Sequence, residues 1–334
     1  MQKSPDLKQR FFSLKTLFSF LLAFAIIYLL VTKMNTAKVF AVIKRADLAI
    51  YAAGFLVYYL TFPLRGLRFH VMLGNNGCAA PVTGLTRIVF ISWFANCVVP
   101  AKLGDIFRAY LVKRRYCHPL VNTVGAIFAE RVFDLFILYL LIGASGLVAF
   151  KGRIPHTMLI VLQTSFVILA VLAAVLVFMK YYSTRPVGWL PEKARDMYQR
   201  FLAGTISSFH HNWQIAALTA VIWFLEGVSF YMVTKAIGMN LSFAAVVFIG
   251  LISALLTALP VTPAGLGIVE TAKVGVLVFF NVDGYVAVSA ALLDRIINYW
   301  SLILFGFVIY LASEHSMPEE AGSDESDDSH SYVQ

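Results

Sequence analysis

Charge is what this sequence has least of. Only 13% of its 334 residues are Asp, Glu, Lys or Arg, whereas 60% are hydrophobic, and the mean hydropathy is +0.78. Soluble domains carry about 25% charged residues, which give them a hydrated surface. The shortfall excludes an ordinary soluble enzyme and predicts an integral membrane protein.

The chain is also poor in residues that build metal and redox sites. Its three cysteines, Cys78, Cys97 and Cys117, form no C-x-x-C pair and have no histidine cluster beside them, so we expect neither a metal site nor disulfides. No G-x-S-x-G, H-E-x-x-H or P-loop pattern occurs. We therefore expect no enzymatic activity and no cofactor.

The net charge of +9 does not indicate a nucleic-acid partner. The basic residues lie in short segments between apolar runs, as at 113–115 and 193–200, which is typical of cytoplasmic loops. No continuous basic face of the kind that binds nucleic acid is visible.

Long apolar runs fill most of the chain, and several approach or exceed the roughly 20 residues that cross a bilayer. No A-x-A-like cleavage site follows the first run, so we interpret it as an anchor helix. We predict an all-α polytopic membrane protein with a cytoplasmic N-terminus over 1–11, a single membrane domain over 12–312 and a disordered acidic tail over 313–334. The runs are Phe11–Thr32, Leu48–Leu64, Thr86–Pro100, Val121–Phe150, Ile154–Lys180, Trp213–Ile237, Leu241–Pro260, Ile268–Val282 and Tyr285–Leu311.

Two of these runs, Thr86–Pro100 and Leu241–Pro260, end in breaks rich in proline and glycine. Proline ends a helix, and irregular backbone at membrane depth is tolerated only beside protein or a wet cavity. Basic segments stay in the cytoplasm if both runs dip into the membrane and return. We predict about six full spans plus two re-entrant helical hairpins, with both termini cytoplasmic. The expected gating-loop residues are Pro100, Gly104, Pro260, Pro263, Gly265 and Gly267.

The two breaks also resemble each other. Pro100-Ala-Lys-Leu-Gly104 matches Pro263-Ala-Gly-Leu-Gly267, and Arg131 and Arg295 follow the prolines by 31 and 32 residues. In the predicted topology these copies, about 48–150 and about 213–312, form an inverted repeat, an arrangement that places transporter sites near the bilayer midplane. The alternative is two unrelated helix-breaking turns.

Charged residues inside membrane segments cost about 2.5–3.5 kcal/mol each on insertion scales, so they pair or face a cavity. Arg131 and Arg295 either bind an anionic head group through their forked guanidinium groups or form structural ion pairs with a carboxylate of the other repeat. Helices that begin near Gly104 and Gly267 would direct free N–H groups at the loops. The predicted substrate-binding residues are Arg131, Arg295, Glu130, Asp134, Asp294, Asn298, Lys102, Asp105, Arg108 and Glu270.

Three further charges remain open. Glu226, alone in its apolar run, has either a hydroxyl or arginine partner or a role in a proton relay. Arg65 and Arg68 lie at the end of the second span. We interpret them as ordinary positive-inside residues rather than as anchors for lipid head groups.

The pattern Asn96-x-x-x-Pro100-x-Lys102-x-Gly104-Asp105-x-x-Arg108, with Glu130-Arg131-x-x-Asp134 and the second break, resembles the membrane (flippase-like) region of lysylphosphatidylglycerol synthases. It is also similar to the membrane half of some archaeal lipid-linked glycosyltransferases. Lys102 and Asp105 stand where that family more often has Arg and Glu, and Ala264 replaces a Gly.

The resemblance implies a flippase-like transporter in the cell membrane that moves a phospholipid or a polyprenyl-phosphate-linked substrate. Because a short acidic tail stands where the synthases carry a soluble aminoacyl-transferase domain, we expect a stand-alone member without aminoacyl transfer. The alternative is a non-transporting membrane subunit that presents lipid to a partner glycosyltransferase.

Overall fold

The computed structural model describes residues 28–29, 32, 35–99, 102–151, 156–181, 191–257 and 263–314. This part of the chain is helical and contains no strand, which confirms the predicted all-α class. Most of the first predicted span, the acidic tail beyond 314, Pro100 and Pro260 lie outside the described residues. The helices are α1 (Thr36–Lys44), α2 (Leu48–Gly74), α3 (Val82–Val98), α4 (Leu103–Tyr116), α5 (Leu120–Ala149), α6 (His156–Tyr181), α7 (Glu192–Ser207), α8 (Asn212–Ala236), α9 (Phe243–Leu256), α10 (Ile268–Phe279), α11 (Gly284–Arg295) and α12 (Ser301–Glu314).

Four helical segments are long and apolar enough to cross a membrane: Leu48–Gly74, Leu120–Ala149, Asn212–Ala236 and Gly284–Ser313. The last of these joins α11 to α12 through a π-helical turn at Ile296–Trp300. The four segments coincide with predicted spans, so the interpretation as a multi-pass membrane protein is confirmed.

Helix α2 is longer than predicted, and the difference changes the role of its arginines. Asp47 caps its first turn by accepting hydrogen bonds from the N–H groups of Ala49 and Ile50. The helix then continues through Pro63 to Gly74, although proline cannot donate to the preceding turn. Arg65 and Arg68 therefore lie inside the span, 2% and 0% exposed, and their prediction as ordinary positive-inside residues is wrong.

The basic residues at 193–200, expected to lie in a cytoplasmic loop, lie in helix α7. This helix packs closely on α5 at two glycines: a Cβ on Gly125 or Gly204 would lie less than 3.0 Å from backbone oxygens of the other helix. The close approach buries Leu202 and Thr205. Tertiary packing, which a polar sequence does not reveal, stabilises this helix.

Each of the two predicted breaks separates a pair of adjacent short helices. Helices α3 and α4 contact each other across the first break, and α9 and α10 contact each other across the second. With 17 and 14 residues, α3 and α9 are about 25 and 21 Å long, less than the roughly 30 Å hydrocarbon core. As expected, the second helix of each pair begins next to a glycine, α4 at Leu103 and α10 at Ile268.

Helices α2 and α8 form the most extensive helix contact and run antiparallel. The Asp47 N–H donates to the carbonyl of Ala236 at 2.7 Å, at the start of α2 and the end of α8. Near the opposite ends, the Asn75 side chain donates to the carbonyl of His210 at 2.8 Å. Each of these two helices precedes one of the helix pairs in the chain.

The long helices that follow the two pairs exchange contacts. Helix α5, which follows the first pair, packs on α9 of the second, while α12 packs back on α3 of the first. Both contacts use a glycine against an aromatic ring. Gly146 lies at the ring of Phe248, and Gly306 lies at Phe94. The two sets of helices thus form one interlocked bundle around a common centre.

Gly104 lies where α4 approaches the backbone of α3 closely, because a Cβ there would lie less than 3.0 Å from the Ser92 carbonyl and the Asn96 side chain. We expect Gly104→Ala to destabilise the protein by about 1–3 kcal/mol, the usual effect of overpacking, seen as a lower melting temperature in detergent. Gly143→Ala is the control, because no atom lies within 4 Å of its added Cβ. Equal melting temperatures for the two variants would contradict this packing.

Candidate functional site

A polar cavity of about 370 Å³ lies where the two helix pairs meet the long helices. Its volume falls in the lower part of the range of about 300–1,000 Å³ that is usual for small-molecule sites. Aromatic side chains form part of its wall: Tyr58, Trp93, Trp223 and Phe230. Its polar and charged lining consists of Asn96, Lys102, Asp105, Arg131, Asp134, Glu226, Ser229, Ser253, Thr257, Lys273, Asp294, Arg295 and Asn298.

Arg131 connects the first helix pair to the long helix α5. Its Nη2 lies 2.9 Å from Asp105 on α4, and its Nη1 lies 3.2 Å from Asp134 one turn further along α5. The side chain of Arg131 remains 26% exposed, the most of any residue in these pairs. Arg131 therefore carries its charge at the cavity surface while it shares two carboxylates.

Behind Arg131 lies a fully buried ion-pair network. Arg68 of α2 bridges Glu130 and Asp134, at 2.9 and 2.6 Å. Arg108 of α4 approaches both oxygens of Glu130, at 3.1 and 2.6 Å, in the forked geometry that arginine favours. Arg68 is 0% and Arg108 is 1% exposed, so each depends on its carboxylates for compensation. Three helices are joined by this network.

The second helix pair has a corresponding arrangement. Arg295 Nε lies 2.6 Å from Glu270 Oε1 at the start of α10, and Lys273 pairs with Asp294. The other Glu270 oxygen accepts a hydrogen bond of 2.6 Å from the Gly267 N–H and so caps the helix. Asn298 donates to Asp294 at 2.8 Å. All four charged residues are at most 6% exposed.

Arg65 and Glu226 form a further pair between α2 and α8, in which Arg65 is buried and the Glu226 side chain is 16% exposed. The Arg65 guanidinium lies 4.2 Å from the ring centre of Trp93 and 5.4 Å from that of Trp223. Trp223 also donates to Asp134 at 3.0 Å, which links this pair to the first network. Glu226 thus has an arginine partner, as one of the two predictions for it required.

We call these pairs, together with Lys102, the charged cluster. All its carboxylates lie within 4.0 Å of a cation. It contains seven cations and six carboxylates, namely Arg65, Arg68, Lys102, Arg108, Arg131, Lys273 and Arg295 with Asp105, Glu130, Asp134, Glu226, Glu270 and Asp294.

The two breaks contribute left-handed backbone to the cavity region. Lys102 has φ 53°, and in the second break Ala264, Gly265 and Gly267 have φ 47°, 70° and 87°. Gly104 N–H donates to Asn96 Oδ1 at 2.9 Å, which closes the first hairpin. In the described part of the second break, Ala264 lines the cavity.

Most of the predicted substrate-binding residues come together at this cavity. Arg108, Glu130 and Glu270 are the exceptions: they lie behind its wall and hold the lining residues in place. The alternative in which each arginine pairs with a carboxylate of the other repeat is wrong. Arg131 and Arg295 pair within their own halves, because each lies opposite the acidic residue at the start of the adjacent helix.

The predicted list of substrate-binding residues omits three contributors to the site, Lys273, Trp93 and Trp223. Lys273 lies three residues after Glu270, on the same helix face, and this spacing was the available signal. The tryptophans gave no such signal, since aromatic residues are frequent throughout apolar spans.

Removing one partner of a buried pair leaves an uncompensated charge, which costs about 3–5 kcal/mol. We therefore expect Arg65→Met to lower the melting temperature in detergent strongly, and Arg65→Met/Glu226→Gln to restore most of it. Arg200→Ala is the control: its partner Asp196 is 2.9 Å away, but both side chains are more than half exposed, so the loss is about 1 kcal/mol or less. A single variant as stable as the double variant would contradict the pairing.

The sequence matches the family model described as the lysylphosphatidylglycerol synthase TM region over residues 16–306. A UPF0104 membrane protein of Methanocaldococcus jannaschii is 33% identical over 228 residues, which cover 68% of this chain and 97% of that protein. One of Methanothermobacter thermautotrophicus is 26% identical, covering 89% and 93%. Glycosyltransferase AglD of Haloferax volcanii is 27% identical, covering 79% and 49%. The chain therefore belongs to the lysylphosphatidylglycerol synthase TM-region family, as do the UPF0104 membrane proteins.

Proposed function

We propose that this protein is a flippase-like transporter that moves a phospholipid or a polyprenyl-phosphate-linked substrate between the leaflets of the cell membrane. The observation that carries the proposal is the polar, charge-lined cavity between two short helix pairs in a membrane bundle. A charged head group needs such a surface to cross the hydrocarbon core, because an unpaired charge there is costly.

An inverted repeat with two re-entrant hairpins is part of the proposal. Three observations support it: α2 and α8 run antiparallel, α3 and α9 are shorter than the hydrocarbon core, and the helix pairs exchange contacts with the following long helices. In transporters with inverted repeats, the two halves open a midplane site to opposite sides in turn. We propose the same for the two breaks, with both termini in the cytoplasm.

Arg131 and Arg295 are the proposed phosphate ligands. Both line the cavity, one from each half, and both belong to ion pairs that hold their guanidinium groups in place. Arg131 shares two carboxylates, so it can exchange one of them for a phosphate oxygen and keep the other. Asp134, Asp294 and Asn298 would orient these ligands.

Purified protein in liposomes will accelerate the exchange of fluorescent phospholipid between leaflets. Arg131→Ala and Arg295→Ala will each reduce the rate to that of protein-free liposomes, because the phosphate loses a ligand in the cavity. Dithionite quenching of the fluorophore measures the rate, and Arg200→Ala serves as the surface control. Normal exchange in both cavity variants, with unchanged folding, would contradict the site assignment.

Two-sided cysteine labelling tests the proposed topology. Cys78, Cys97 and Cys117 are first replaced by alanine, and single cysteines are then placed across 96–110 and 258–272. We expect the first segment to react with an impermeant maleimide only from the cytoplasm and the second only from outside. Labelling of both segments from one side would contradict the inverted arrangement.

The match to glycosyltransferase AglD favours a second candidate function. Since the matched region covers 49% of that protein, this membrane bundle can accompany a further region in one chain. Here it would hold and present a lipid-linked substrate to a separate glycosyltransferase. Stable co-purification with such an enzyme, combined with no exchange activity alone, distinguishes this function from transport.

A further inference from the structure

Lys102 is the cation of the charged cluster that lacks a carboxylate partner. Each of the other six cations pairs with at least one carboxylate. Among the described residues, no carboxylate lies within 4.0 Å of Lys102. The segments outside the description that lie between residues 28 and 314, namely 30–31, 33–34, 100–101, 152–155, 182–190 and 258–262, contain no Asp or Glu. At formal charges, the cluster therefore carries one unbalanced positive charge.

The backbone at Lys102 gives an independent sign of function. Lys102 has a φ of 53°, a left-handed conformation that costs a residue with a Cβ, whereas Gly265 adopts a φ of 70° at the matching position of the second break. Glycine would satisfy this geometry without strain. That this left-handed position at the cavity holds a lysine instead of a glycine supports a role for its ammonium group.

Other unpaired polar atoms belong to the same cavity wall. Arg295 Nη2 and Trp93 Nε1 are buried donors with no hydrogen-bond partner in the described part of the chain. Asn298 Oδ1 is a buried acceptor that likewise has no hydrogen-bond partner in the described part of the chain. When the Lys102 ammonium is included, the unpaired donors in the cavity wall outnumber the unpaired acceptors. This excess of donors suits a ligand that presents several acceptor oxygens.

We infer that the cavity binds the phosphodiester of a lipid head group with a net charge of −1, and that Lys102 is its principal charge ligand. This inference rests on the proposed function and narrows its substrate class. One phosphodiester charge balances the one excess positive charge, and its oxygens accept from Lys102 Nζ and Arg295 Nη2. At about 370 Å³ the cavity holds the head group and leaves the hydrocarbon chains outside.

Other head-group charges fit this cavity less well. A diphosphate brings more negative charge than the cluster balances. A choline head group brings a second cation, which needs free aromatic faces. Arg65 already lies against Trp93 and Trp223, and Lys273 lies 4.1 Å from the ring centre of Phe230.

The test is a binding measurement in detergent on the full chain, read from its tryptophan fluorescence, since Trp93 and Trp223 line the cavity. The probes are dihexanoyl-phosphatidylglycerol and citronellyl phosphomannose, both monoanionic phosphodiesters, compared with dihexanoyl-phosphatidylcholine, farnesyl diphosphate and inorganic phosphate. We expect at least one of the two monoanionic diesters to bind about tenfold or more tightly than the other three. Comparison of those two diesters identifies whether the lipid is glycerol-based or isoprenoid.

Variants at Lys102 distinguish the loss of its charge from a loss of protein stability. Lys102→Gly and Lys102→Gln will weaken binding of the preferred diester by about tenfold or more, the effect of losing one charge-assisted hydrogen bond. Lys102→Arg will keep the preference. Lys102→Gly also relieves the left-handed strain, so its melting temperature will equal or exceed that of the unchanged protein. Lys113→Gln, an exposed position on helix α4, is the control and will bind normally.

Unchanged diester binding in the folded Lys102→Gly and Lys102→Gln proteins would overturn the inference. Preference for the diphosphate, the zwitterion or free phosphate would overturn it as well. Because binding is measured independently of transport, the experiments can refute the transporter proposal and the phosphodiester inference independently of each other. A protein that binds the diester but does not exchange lipid refutes the transporter, whereas one that exchanges lipid with no dependence on Lys102 refutes this inference.

Discussion

The cost of charge in a membrane is the constraint on which this structure depends. All carboxylates of the charged cluster lie against an arginine or lysine, and Arg68, fully buried, holds Glu130 and Asp134 together. Because these groups lie on α2 and α5, with Arg108 adding α4, the helices cannot separate without exposing an uncompensated charge. The apolar faces of the bundle determine that it enters the membrane, and the ion pairs determine which helices meet.

The same pairs connect the short helices to the long ones. Asp105 on α4 reaches Arg131 on α5, and Glu270 on α10 reaches Arg295 at the end of α11. A movement of either helix pair must therefore break a charge contact, and an incoming anion is the natural replacement for the lost carboxylate. In this way, the binding of a phosphate and the release of a hairpin become one event in the proposed mechanism. The packing of Gly146 on Phe248 and of Gly306 on Phe94 keeps the long helices in place meanwhile.

Much of this arrangement was predictable, since span length and helix breaks are local properties. The four long spans, the breaks and the helix starts beside Gly104 and Gly267 follow from apolar runs and from proline and glycine. Arg65 and Arg68 were misinterpreted because a run that appears to end at Pro63 in fact continues as a helix. Which charged residues form ion pairs could not be predicted, and the reason is a different one. Arg68 meets Asp134 across 66 residues of chain, and no spacing rule reaches that far.

The two helix pairs place unequal charges at the cavity, and this inequality gives the cavity a direction. In the second half, Lys273 and Arg295 are at least 94% buried and paired, and Gly265 occupies the left-handed position that matches Lys102. In the first half, Arg131 is 26% exposed and the matching left-handed position holds Lys102. A cavity whose available charge lies on one hairpin holds its anion closer to that hairpin, so the first break is where we expect head-group recognition and the second is where we expect closure.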